Sequence, residues 1–239
     1  DLDLWGIQEV VGDSAFASLV AALPGYAGFL ANDAAVEDGP AWYSDFGDRE
    51  QKVGLVYKTS VMEVLGARIV LTDHDHAFAG RPPLEVRVRL TLGAAPTNAV
   101  VMVLHAKAGA DGEDWDRRSA AADALKAYLD DTWPDVPVWV IGDFNDDVDT
   151  SITAGRATPY APLLQAGSAW SFPTSAISQS GIPSTVGYPD VIDHHLPNLS
   201  NQVTIRQLLT HTSGVFDYYD EEAHDDFDNF ELAIPPCKL

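Results

Sequence analysis

"WVIGDFNDD", residues 139–147, decides the fold. The run Val136-Pro137-Val138-Trp139-Val140-Ile141 has the length and branched, apolar character of a strand buried on both faces, and Gly142 ends it. Asp143 and Asn145 then stand two positions apart at the strand's end, where side chains at i and i+2 project the same way. Two oxygen-bearing groups so placed can converge on a cation or a phosphate. Taken alone, the stretch is equally consistent with a turn in which Asp and Asn bond their own backbone.

The flanking sequence supplies more elements of the same kind. Leu2, Leu4 and Ile7 read as an opening strand, and Asp13 as the cap of a helix through Leu23 with Phe16, Leu19, Val20 and Leu23 on one face. Residues 24–51, rich in Gly, Asp and aromatics, read as a long loop. Strands are expected at 52–57, 61–71, 84–92 and 99–104. In the third of these Glu85, Arg87 and Arg89 alternate onto a wetter face. Residues 116–131 form an amphipathic helix with Ala121, Leu125, Tyr128 and Leu129 inward. Helical character returns near 160–165, and a Ser/Pro/Gly-rich stretch follows to residue 188. Strands and helices mix without strict βαβ alternation, which predicts an α/β fold of packed mixed sheets with helices outside.

The chain has 239 residues, 46% of them hydrophobic, enough for a full core. It holds no apolar run of about 18 residues, so no membrane partner is expected. A single cysteine, Cys237, excludes an internal disulfide and a thiolate metal cluster, and leaves the compartment undecided. The start carries no signal-peptide pattern, and a secreted full-length form stays open. Net charge is −22, which opposes a general electrostatic embrace of nucleic acid. A phosphate ligand has to be met locally or through a divalent cation.

Four places share one pattern, an apolar strand followed by groups that bind metal or phosphate: Glu9 in "GIQEV", His105 in "VLHAKA", Asp143 and Asn145 in "VIGDFN", and Asp193 in "DVIDHHL". Each alone has a plainer reading, as a solvated carboxylate, a core histidine, a turn or a cap. Together with "KVGLVYKTS", "FAGRPPL" and "DWDRRSAAADAL", in this order, they resemble the endonuclease/exonuclease/phosphatase superfamily over about residues 1–196. The resemblance implies a deoxyribonuclease I-like four-layer sandwich of two mixed β-sheets flanked by helices, incomplete at both ends. It implies Mg²⁺- or Mn²⁺-dependent hydrolysis of phosphoesters, nuclease-like, by a monomer whose substrate includes nucleic acid among the candidates.

Residue by residue, the resemblance makes Glu9 the metal ligand and Asp143 the group that orients or deprotonates the attacking water. Asn145 holds phosphate or the metal's surroundings, His105 donates to the phosphate or leaving group, and Asp193 supports catalysis. Arg81, in "FAGRPPL", is a phosphate contact or a structural anchor. Gln51 is set aside. The chemistry of the residues agrees, since magnesium takes oxygen ligands and needs only one or two carboxylates. Asp73-His74-Asp75-His76 is expected to be a solvated loop rather than a metal cluster.

Two elements of the pattern are missing. The opening strand with its Asn would precede Asp1, and the closing Ser-Asp-His-x-Pro occurs nowhere; His195, His211 or His224 could fill the gap. In its place residues 198–239, with "VTIRQLLTHTSGVFDYY" and "ELAIPP", resemble a fragment of the serine β-lactamase-like hydrolases. That chemistry needs Ser-x-x-Lys, Tyr-x-Asn and Lys-Thr-Gly, none of which the chain contains. The expected division is an endonuclease/exonuclease/phosphatase-like domain at 1–197 and a foreign segment at 198–239, helical and then acidic, that is not an independent domain. The alternatives to an active phosphodiesterase are an impaired hybrid that at most binds metal or phosphate and, remotely, a serine acyl-hydrolase.

Overall fold

Successive side chains of a strand face opposite sides, so a strand apolar at every position must be covered twice. The computed structural model, which describes residues 2–43, 50–91, 95–165, 168–185 and 189–198, shows how this happens. In chain order the described elements are β1 (Leu4–Val10), α1 (Asp13–Ala21), β2 (Tyr26–Leu30), β3 (Val36–Glu37), α2 (Gly39–Tyr43), β4 (Lys52–Lys58), β5 (Met62–Ile69), β6 (Leu84–Leu90), β7 (Thr97–His105), α3 (Gly112–Thr132), β8 (Val138–Asp143), α4 (Ala161–Leu164), α5 (Ser175–Ser180) and β9 (Asp193–Pro197). They build a three-stranded sheet, β1-β4-β2, and a six-stranded sheet, β3-β5-β6-β7-β8-β9. In the large sheet β3–β5 and β7–β8 pair in parallel and the rest antiparallel.

The apolar run of β7 divides cleanly between two cores. Val100, Met102 and Leu104, with Val138 and Val140 of β8, pack on Ala121, Ala122, Leu125 and Leu129 of α3. Ala99, Val101 and Val103, with Trp139 and Ile141, face Leu4, Val53 and Leu55 of the small sheet. Each fully buried aliphatic side chain of this kind contributes roughly 1.5–3 kcal/mol. On the outer face of the small sheet, Phe16 of α1 covers Leu30 and Val56. The layers are therefore α1, small sheet, large sheet and α3, the expected four-layer α/β sandwich. One detail differs: the small sheet is antiparallel throughout rather than mixed.

Local expectations failed where long-range pairing overrode composition. Residues 24–51, expected as loop, contain β2, β3 and α2, because Tyr26–Leu30 pairs along β4 in spite of its glycine. The helix expected from residue 116 begins at Gly112, and the Ser-rich stretch before residue 188 holds α5. Gly12, not Asp13, caps α1. Asp13 lies in the first turn, where its carboxylate accepts from Asn32 Nδ2 at 2.8 Å and stands 3.3 Å from Lys52 Nζ. Leu19, expected inward, is exposed.

Glu85, expected on the wetter face, is buried. The end of α3 covers it and supplies donors: Tyr128 Oη at 2.6 Å and Trp133 Nε1 at 2.8 Å, beside Arg68 Nε at 2.8 Å. Thr72–His74 forms a single 3-10 turn with Asp73, His74 and His76 exposed. Among the described residues no helix is long and apolar enough to cross a membrane. The segment 198–239 lies outside the described residues except for Asn198, whose amide bonds Val136 O and Val138 N across the end of β8.

The sharpest backbone constraint is at Gly142. Its φ is +140°, and a Cβ there would lie 2.0 Å from Leu104 O. Gly142→Ala should therefore lower stability by more than about 2 kcal/mol. Urea unfolding measures this, and an unchanged midpoint would contradict the close approach of β7 and β8.

Candidate active site

Pairing on both sides of β8 builds the site. β7 runs parallel to β8 and β9 antiparallel, which sets His105 opposite Asp143 and Asp143 opposite Asp193 in one row. Phe144 N donates to Ile192 O at 2.8 Å, so Asp143 and Asp193 form the non-hydrogen-bonded kind of pair, whose side chains stand closest. Asp193 thus opens its strand, where the sequence reading had it following one. Because β9 runs antiparallel, its first residue meets the last of β8.

Val103 and Ile141, two positions back in the row, belong to the core between the sheets, so the row faces the small sheet. Glu9 arrives from there. It sits at φ +61°, where the register of β1 against β4 shifts between Ile7 and Val10, a bulge of the sort that re-aims a side chain. Its Oε1 lies 3.7 Å from His105 Nε2, which is 3.9 Å from Asp143 Oδ2. Glu9, His105, Asp143 and Asp193 therefore meet at one end of the cleft between the sheets.

Asn145 shows that the turn and the site are one structure. Its backbone is left-handed, φ +52°, and its N–H donates to Asp143 Oδ1 at 2.7 Å. Its Nδ2 donates to Ala106 O at 3.1 Å, tying the β8 loop to the end of β7. Arg81 approaches the same backbone from behind. Nε donates to His105 O (3.4 Å), Nη2 to Ala106 O (2.9 Å) and Nη1 to Gln51 Oε1 (3.1 Å). These bonds compete with the expected phosphate contact and favour the anchoring role. Gln51, set aside in the sequence, is thereby drawn in.

A family model for the endonuclease/exonuclease/phosphatase family matches residues 1–214. The chain belongs to this family. Its fold is also that of solved structures of low identity. A humanized TDP2 from D. rerio superposes with a TM-score of 0.56 at 12% identity, over 84% of this chain and 70% of that one. The human Nocturnin catalytic domain gives 0.53 at 17%, over 82% and 69%, and an endonuclease/exonuclease/phosphatase from Bacteroides vulgatus 0.54 at 18%, over 83% and 74%. No curated protein matches the chain by sequence.

In this family member the site carboxylates are held at a cost. Burial pushes the Asp143 carboxyl up to about 8, helped by the nearby charges of Asp193 and Glu9 and opposed by Asn145 N–H and Arg81. Burial, and then the Arg81 charge, hold His105 well below its ordinary value, so its imidazole is neutral. Its Nδ1 is buried without a hydrogen-bond partner, which leaves Nε2 as the nitrogen facing the cleft. His194, one position after Asp193, faces the other way, against Phe144 and Phe172. Of the candidates for the missing histidine, His195 lies opposite Ile141 in the register, and His211 and His224 lie outside the described residues.

Among the described residues no three His, Cys, Asp or Glu side chains converge into a self-sufficient metal site. Magnesium does not need one, because it keeps several waters and takes one or two carboxylates plus substrate oxygens. An all-oxygen carboxylate set in which burial and then the neighbouring charges of Asp193 and Glu9 hold Asp143 up fits a hard divalent ion, with the half-exposed Glu9 as the accessible ligand.

The raised Asp143 makes a stability prediction. In the folded protein it keeps its proton up to about pH 8, whereas unfolded it releases it near its ordinary value of about 4. The folded state then binds more protons, so this group's penalty grows from about pH 4 to about pH 8 and levels off above. With chelator present, Asp143→Asn should be more stable than the parent at pH 8, on the order of a few kcal/mol, and the gain should fade toward pH 4. Denaturant melts at the two pH values decide it, and a gain independent of pH contradicts the assignment.

Proposed function

We propose that the chain is a Mg²⁺- or Mn²⁺-dependent phosphoester hydrolase of the phosphodiesterase or nuclease type. The observation that supports it best is the row His105–Asp143–Asp193 facing Glu9 across the cleft. Phosphoryl transfer asks a protein mainly for positioning and for charge aimed at the phosphate oxygens. The bound ion, held through Glu9, would supply that positive charge.

The chain's own residues do the rest. Asn145 N–H occupies Asp143 Oδ1, so Oδ2 is the oxygen that would take a proton from water in the ionised form, which the positive charge of a bound divalent cation would favour. A carboxylate raised toward neutrality by burial is suited to that work. Asp193 keeps Asp143 basic by proximity. His105, neutral, donates from Nε2 to a phosphate or leaving-group oxygen. Asn145 Nδ2, with one N–H on Ala106 O, turns its second toward phosphate. Arg81 fixes the carbonyls of residues 105 and 106, and its charge is felt at the site without direct grip on the substrate.

Two of the similar solved structures point to phosphoester chemistry. A D. rerio TDP2 was solved with a single-strand DNA product, and a Bacteroides thetaiotaomicron protein is a mannosyl-6-phosphatase. The phosphoester substrate of this chain is accordingly proposed to be a nucleic acid end or a smaller phosphoester. A chain that keeps the site without turnover is the competing reading, and the missing Ser-Asp-His-x-Pro favours it.

Release of nitrophenol from bis-p-nitrophenyl phosphate separates the two. Turnover should require Mg²⁺ or Mn²⁺ and stop with EDTA. Asp143→Ala and His105→Ala should each lower kcat by about 10²–10⁴ while far-UV circular dichroism stays unchanged. Rates indifferent to chelator, or to Asp143→Ala, would overturn the proposal.

A further inference from the structure

Beneath the cleft, on the helix side of the large sheet, lies a second polar cluster that the proposed chemistry does not use. At its centre Arg118 of α3 is fully buried and 2.8 Å from Asp146, itself fully buried. All five N–H groups of the guanidinium have acceptors within reach. Nε donates to Asp146 Oδ2 at 2.9 Å, Nη1 to Lys107 O at 2.9 Å and Gly109 O at 2.6 Å, and Nη2 to Thr153 Oγ1 at 3.2 Å beside its contact with Asp146. Asp146 in turn accepts from Ser151 Oγ, Ile152 N and Asp147 N. Its carbonyl lies 3.2 Å from His194 Nε2, and His194 Nδ1 lies 2.7 Å from Thr174 Oγ1. A carbonyl can only accept, so Nε2 carries the proton and Thr174 donates to Nδ1.

The spacing of these partners along the chain is what matters. Lys107 is two residues beyond His105, Asp146 immediately follows Asn145, and His194 immediately follows Asp193. The three strand ends of the large sheet that carry site residues are thus held by the same cluster, from the face opposite the cleft. A planar fork with five fixed donors can span a carboxylate and two loop carbonyls at once, and a lysine ammonium cannot. Glu9, on the other sheet, takes no part.

We propose that Arg118, through Asp146 and His194, is a positioning residue that fixes His105, Asp143–Asn145 and Asp193 relative to one another without touching substrate. The inference rests on the hydrolase reading, and its test therefore pairs turnover with a measurement that does not need it. In the full chain, Arg118→Lys should lower kcat by about tenfold to a hundredfold, the scale of ångström misplacement. KM and the Mg²⁺ concentration for half-maximal rate should stay within threefold, because Glu9 is held elsewhere. Amide hydrogen exchange should quicken in 105–109 and 143–153 and stay unchanged in β4 and β6. Arg118→Met should lose more than Arg118→Lys on both readouts.

Uniformly faster exchange across the chain would mean that Arg118 only stabilises the fold, and an unchanged kcat in Arg118→Lys would mean that the tie does not position the site; either overturns the inference. If the parent chain hydrolyses no phosphoester, the hydrolase reading falls. The exchange pattern then still decides the tie, with local loosening supporting it and a uniform change or none defeating it.

Discussion

The register of three neighbouring strands is the constraint on which the rest depends. β8 has a parallel neighbour on one side and an antiparallel one on the other, so the last residues of β7 and β8 and the first of β9 share one row. No loop has to be ordered to bring His105, Asp143 and Asp193 together; backbone ladders among the last three strands of a doubly covered sheet do it. Gly142 belongs to the same constraint, because only a residue without Cβ lets β8 approach Leu104 O while adopting φ +140°.

That placement sets two carboxyl groups side by side, and burial first, then the charge of Asp193, raises Asp143. A lone buried aspartate would simply hold its proton. Here Asn145 N–H and the Arg81 charge pull against burial and Asp193, leaving Asp143 near 8 instead of far above it. The strained backbones at Glu9 and Asn145, both left-handed, are tolerated because each is fixed by surroundings: a bulge between paired strands in one case, an Asx turn and the Ala106 carbonyl in the other.

Much of this was legible in the sequence, and the reason is local. "VWVIGDFND" contains its own strand, its own stop and its own polar end, so the identity of Asp143 and Asn145 as site candidates needed no tertiary knowledge. Asp193 read in sequence as the polar end of a strand, whereas what sets it beside Asp143 is that it opens β9. What local patterning could not show was pairing across distance: β2 inside an apparent loop, Glu85 covered by the end of α3, Gln51 meeting Arg81. Arg118 did leave a signal. It falls one turn before Ala121 and Ala122 on the stripe that continues through Leu125 and Leu129, and a charge in line with a buried stripe must find acceptors indoors.

Eight of the eleven described Lys and Arg side chains already lie within ion-pair distance of a carboxylate, and Arg81 and Arg117 donate to backbone carbonyls. The chain as a whole carries −22, and the carboxylates of Glu9 and Asp193 at the cleft add negative potential that a concave, low-dielectric site concentrates. A field of that sign gathers divalent cations and repels phosphates. For the proposed hydrolase, a divalent cation held through Glu9 would offset that charge and so favour the approach of a phosphoester.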